Sequence, residues 1–143
     1  MIADTGPLVA AANRRDRGHG LAAAIVTELG RDLIVPLPVA VETDQLLRSR
    51  VNESAARKFL SALAQGQHEV AFLSAGVFKR AAEIDARFAG LGLGFADASI
   101  MAFAERHDLP VLTFDFEHFR AAPPAGGYWR LVVDETRYLE ATR

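Results

Sequence analysis

Short apolar runs alternate along this chain with longer segments whose apolar residues recur every three or four positions, and this alternation restricts the fold more than any other feature. Met1 to Ala3 reads as a stub of strand. Leu33-Ile34-Val35 reads as a buried strand stopped by Pro36, Val70 to Leu73 as another, Val111 to Phe114 as a third, and Leu131 to Val133 as the last. Strands separated by helical segments cannot turn straight back on themselves, so the pattern predicts an α/β unit with a mostly parallel sheet.

The helical segments carry their own punctuation. Gly6-Pro7 opens a helix through Leu8 to Asn13, Leu21, Ile25 and Leu29 share one face of a second helix that Gly30 ends, and Pro38 opens a third. Asn52 or Ser54 caps a helix whose Ala56, Phe59, Leu60 and Leu63 form a core stripe, and Ser74 caps one with Val77, Ala81, Ile84 and Phe88 along one side. Gly90, Gly92 and Gly94 read as a flexible connection, and the tail after Asp134 carries no clear pattern. No repeat or linker divides the 143 residues, so residues 1–143 are expected to form a single domain large enough to bury its own core.

With no cysteine, the chain cannot be a disulfide scaffold, a thiolate zinc protein or a cysteine-nucleophile enzyme. No apolar run approaches a membrane span, and the charges of the first residues follow the apolar stretch, opposite to a secretion signal. A cytoplasmic location and no membrane partner are therefore expected.

Against this background four acids are out of place. Asp4 follows the first strand, Glu42 shares a helix side with Val39, Leu46 and Leu47, Asp97 shares one with Ile100, Met101 and Ala104, and Asp115 follows a later strand. An ionised carboxylate withdrawn from water needs compensation. Strand ends of parallel α/β sheets converge on a crevice at the switch in strand order, where Asp4 and Asp115 would point and to which helix faces could bring Glu42 and Asp97. Oxygen-only ligation of that kind suits a hard cation, Mg2+ or Mn2+. Two alternatives stay open: Asp97 as a partner of its own helix dipole, and Asp115 as a helix cap. His19, His68, His107 and His118 show no close metal-ligand spacing and read as surface residues; Tyr128 and Trp129 read as packed against the fold.

The residues Ile2-Ala3-Asp4-Thr5-Gly6-Pro7-Leu8, Val41-Glu42 before Leu46-Leu47, Gly94-Phe95-Ala96-Asp97-Ala98-Ser99-Ile100, and Leu109-Pro110-Val111-Leu112-Thr113-Phe114-Asp115 together resemble the PIN domain, and more narrowly the VapC-type toxins of bacterial toxin-antitoxin pairs. The resemblance spans essentially the whole chain. It implies a three-layer α/β/α sandwich with a short, mostly parallel central sheet. It implies also a divalent-metal-dependent endoribonuclease whose partners are an RNA substrate, a small antitoxin protein and a second copy of itself. The family's acids fall on Asp4, Glu42, Asp97 and Asp115, with Thr5 and Thr113 as polar supports. In this reading Asp4, Asp97 and Asp115 hold Mg2+ or Mn2+, and Glu42 binds directly or through water and orients the attacking water.

Of the 16 basic residues only Lys58 and Lys79 are lysine, and Arg suits phosphate, although a GC-rich genome produces the same bias. Arg14, Arg15, Arg17, Arg48, Arg50 and Arg57 are candidates for phosphate contact near the mouth of the site, with plain solvated surface as the alternative. A noncatalytic PIN-like module that binds RNA or protein is the rival reading; its mark would be loss of an acid, and all four are present. An aspartic protease would need a second symmetric acid motif, and a phosphoaspartate enzyme a suitably placed lysine.

Overall fold

Ile2–Ala3 (β1), Ile34–Pro36 (β2), Glu69–Ala71 (β3) and Val111–Leu112 (β4) form one parallel sheet in the order β3-β2-β1-β4, in a computed structural model that describes residues 1–143. Ile2 faces Ile34 on one side and Val111 on the other, so β1 is an interior strand, wholly buried. Each connection is a pair of helices. Thr5–Ala12 (α1) and His19–Leu29 (α2) lead to β2, Leu37–Arg50 (α3) and Glu53–Ala64 (α4) to β3, and Ala75–Arg87 (α5) and Gly94–His107 (α6) to β4. Phe116–Ala121 (α7) and Glu135–Ala141 (α8) complete the chain. No helix is long and apolar enough to cross a membrane.

The chain steps outward from β1 to β2 to β3, then returns to place β4 on the far side of β1. The sheet therefore reverses its order at β1, and the carboxyl ends of β1 and β4 border the resulting crevice. Apolar side chains from strands and helices pack beneath it. Ile2, Leu33, Val35, Val39, Ile100, Met101, Val111, Leu112 and Val133 are almost completely withdrawn from water. Val9, Leu47 and Ala56 make a smaller cluster where α4 meets α1 and α3.

The sequence pattern misplaced several features. In α4 only Ala56 is buried; Phe59 and Leu63 are half-buried and pack against the main core, Phe59 also lining a groove, while Leu60 is 41% exposed. That groove, about 730 Å³, runs between α1 and α4. Leu131 to Val133 does not extend the sheet and adds one parallel bridge, Val111 to Leu131. The glycine-rich connection is a 3-10 turn at Ala89–Leu91, with Gly92 and Gly94 at positive φ, which an L side chain would resist. The tail forms α8, capped by Asp134 and held by Tyr138 against Phe114 and Phe116. Trp129 is packed as expected, its indole N–H donating to the Ala122 carbonyl, whereas Tyr128 is 94% exposed.

Candidate metal centre

Asp4 occupies the point where β1 ends and α1 begins. Its backbone N–H donates to the Leu112 carbonyl at 2.8 Å, still in register with β4, and its side chain caps α1, Oδ1 accepting the Thr5 N–H at 2.7 Å. The second oxygen, Oδ2, accepts the Thr113 hydroxyl at 2.7 Å. Thr113 in turn accepts the backbone N–H of Asp115 at 2.9 Å. One hydroxyl therefore fixes the ends of two strands and two acids relative to each other. On the opposite flank the Thr5 hydroxyl donates to Glu42 Oε2 at 3.1 Å, tying α3 to the start of α1.

Asp115 caps α7 through Oδ1, which accepts the His118 N–H at 3.1 Å. The capping role anticipated for it is real, yet it engages only one oxygen. Oδ2 lies 2.8 Å from His118 Nδ1, and Asp97 Oδ2 lies 3.3 Å from the same nitrogen. Asp97, Asp115 and His118 each offer a ligand atom, all within 4.8 Å of one another. Asp4 and Glu42 adjoin this trio. His118 is thus no surface bystander, contrary to the sequence expectation. The overlooked signal was its i, i+3 spacing from Asp115 at the opening of a helix, which turns both side chains to one side.

The electrostatics are those of crowded negative charge. Burial, opposed by the donors Thr113 and Thr5, pushes Asp4 up to about 6, with Asp115 and Glu42 adding repulsion. Burial followed by repulsion from Asp4 and Asp115 pushes Asp97 up to about 7, although His118 works the other way. Asp97 stands in the first turn of α6, where the helix dipole favours a carboxylate. No Lys or Arg answers this charge: the ion pairs of the molecule commit Arg48 to Asp44, Arg57 to Glu53, Arg80 to Glu83 and Glu105, Arg120 to Glu135 and Arg130 to Asp108.

A divalent cation fits what the residues leave open. Several carboxylates face one another without a Lys or Arg, and His118 Nδ1 is a buried nitrogen with no hydrogen-bond partner. Asp4, Asp97 and Asp115, with Glu42 at the edge, would hold it.

The remaining candidates lie elsewhere. Arg14, Arg15 and Arg50 line the α1–α4 groove together with Lys58 and His68. Arg17 is exposed, and Arg48 and Arg57 are in the helix-surface pairs named above. On the other side of Glu42, the half-exposed Leu37, Val41 and Phe95 form an apolar rim.

A parallel sheet with acids gathered at its switch point and flanking helices is the architecture of the PIN domain, whose sequence profile matches residues 1–123, and the chain belongs to that family. It is similar to Ribonuclease VapC26 of Mycobacterium tuberculosis (strain ATCC 25618 / H37Rv), with 32% identity over 128 residues that cover 89% of this chain and 95% of that protein. The fold matches the crystal structure of M. tuberculosis VapC20, described as a sarcin-ricin loop cleaving toxin, with a TM-score of 0.75 and 22% identity, covering 84% of this chain and 93% of that one. It also matches VapBC2 from Rickettsia felis bound to a DNA fragment from its promoter, with a TM-score of 0.60 and 16% identity, covering 85% of this chain and 92% of that one.

Proposed function

We propose that this chain is a divalent-metal-dependent endoribonuclease, using Mg2+ or Mn2+, and the toxin of a toxin-antitoxin pair. The observation that carries the reading is the convergence of Asp4, Glu42, Asp97 and Asp115 at the switch point with no Lys or Arg to neutralise them. Membership of the PIN family and likeness to a ribonuclease over nearly the whole chain support it.

Asp4, Asp97 and Asp115 bind the cation, and the hydroxyls of Thr113 and Thr5 hold Asp4 and Glu42 in fixed orientation. A cation bound there lowers the pKa of an attacking water and neutralises charge developing on the phosphate. Glu42, anchored through one oxygen, directs the other polar edge of its carboxylate to that water. The raised proton affinities of Asp4 and Asp97 make proton and cation competitors, so cleavage falls in acid. Arg14, Arg15 and Arg50, with Lys58, supply phosphate contacts beyond the acids, and the exposed Arg17 adds positive charge, whereas Arg48 and Arg57 are neutralised by Asp44 and Glu53. The partners are RNA, a cognate antitoxin and a second copy of the chain, and the setting is the cytoplasm.

The test is cleavage of total cellular RNA by the purified protein with Mg2+, Mn2+ or chelator, beside Asp4→Asn and Asp97→Asn with folding checked by circular dichroism. Cleavage abolished by chelator and in both folded variants is expected. Equal cleavage by the variants would refute the site, and tight RNA or partner binding without cleavage under any metal would favour a noncatalytic module.

A further inference from the structure

His118 is the one nitrogen-bearing side chain at the acid cluster, and its geometry does not fit a hydrogen bond. Nδ1 is 2.8 Å from Asp115 Oδ2 and 3.3 Å from Asp97 Oδ2, close enough for bonding, yet neither oxygen lies in line with it and the nitrogen is left without a partner. An N–H held between two carboxylates would normally turn toward one of them. The same three atoms make sense as corners of a shared coordination shell. Atoms on adjacent corners of an octahedron with bonds of about 2.1 Å lie about 3.0 Å apart, and each then sits about 45° off the other's axis toward the centre. A ring N–H along that axis would meet either oxygen at about 120°, where a hydrogen bond has largely faded. The observed separations straddle the octahedral edge, and the missing hydrogen bond is what that shape produces.

We propose that His118 Nδ1 is itself a ligand of the divalent cation, beside Asp97 Oδ2 and Asp115 Oδ2. The ring is the neutral tautomer with its proton on Nε2. The placement is built into the chain: Asp115 caps α7 with Oδ1, and the cap fixes the turn that returns residue 118 to the Oδ2 side. A nitrogen in the shell changes which ion the centre prefers. Mg2+ takes oxygen ligands and releases water reluctantly, whereas imidazole suits transition ions. The centre therefore favours Mn2+ over Mg2+ more than a shell of carboxylates alone would.

This inference rests on the metal centre of the proposed function, and the experiment separates the two. Mn2+ is added to chelator-treated protein, and electron spin-echo envelope modulation is recorded for protein with natural-abundance nitrogen and for protein labelled with ¹⁵N-histidine. Modulation from a directly bound imidazole ¹⁴N is expected in the first sample and its replacement by the ¹⁵N pattern in the second, with no mutation involved. In His118→Gln, with folding confirmed, the modulation disappears, Mn2+ affinity drops by about 10- to 100-fold, and Mg2+ affinity changes by no more than about 3-fold. Mn2+ bound to the wild type without histidine modulation, and released by Asp97→Asn, would overturn the role of His118 and leave the nuclease reading intact. Failure of the wild type to bind Mn2+ while it binds Mg2+ would overturn the role of His118 alone, and failure to bind either ion would overturn both.

Discussion

The Thr113 hydroxyl donates to Asp4 Oδ2 at 2.7 Å, joining residues 109 positions apart in sequence. Because the same oxygen accepts the Asp115 N–H, a single side chain sets the separation of two site acids. Thr113→Val keeps the shape of this fully buried side chain but removes both bonds. The expected cost is about 1–3 kcal/mol in denaturant unfolding and about a 10- to 100-fold loss of cleavage, with Thr113→Ser retaining most of both. A Thr113→Val protein with undiminished stability would contradict this account.

Crowded carboxylates make the metal-free protein less stable as they ionise. The folded chain holds the Asp97 proton up to about pH 7, whereas an unfolded chain releases it near 4, so stability present in acid is lost as pH rises through that window. In chelator, Asp97→Asn should therefore raise the melting temperature at pH 8, by on the order of 5 °C, and leave it nearly unchanged at pH 4. Adding Mn2+ at pH 8 should reverse the order, stabilising the wild type and not the variant.

Glu42 is held by the Thr5 hydroxyl, and a glutamine in its place can keep that bond through its own carbonyl. Glu42→Gln is expected to lower cleavage by about 10²-fold or more, the usual scale for a positioned acid-base group, while weakening Mn2+ binding much less than Asp97→Asn does. Parallel titrations and single-turnover rates would separate the two roles. Equal loss of binding in both variants would place Glu42 among the ligands.

Thr43 is fully buried on α3, and its hydroxyl has no hydrogen-bond partner. An orphaned buried hydroxyl is a net cost, so Thr43→Val should leave stability unchanged or raise it by about 1 kcal/mol, read from the urea midpoint at constant slope. A clear destabilisation would mean that the hydroxyl is engaged in solution.

Asp97 and Asp4 were legible in the sequence because each interrupts an apolar pattern whose other members are buried: Asp97 with Ile100, Met101 and Ala104, and Asp4 directly after Ile2 and Ala3. His118 was not, because a histidine beside the buried Phe119 on a short helix disturbs no period. The stripe Phe59, Leu60 and Leu63 has the spacing of a core helix, and Phe59 and Leu63 do pack against the main core, but Leu60 stays exposed. Periodicity records that one face is apolar, not what covers it. Helix α8 left no pattern in the sequence for the opposite reason, since none of its residues is buried and it is held by Tyr138 on aromatic rings and by the Arg120–Glu135 ion pair.

The interior position of β1 has a consequence for how the protein is made. β1 has one neighbour, β2, that follows about 30 residues later, and another, β4, that is synthesised only near residue 111. Until then Asp4 lacks the Thr113 hydroxyl, and Asp115 and His118 do not exist. A growing chain can bury its first hydrophobic residues early, since N-terminal parts fold first during synthesis. The acid cluster is therefore not assembled before β4 and Asp115 have been made, so any RNA-cutting capacity cannot precede them.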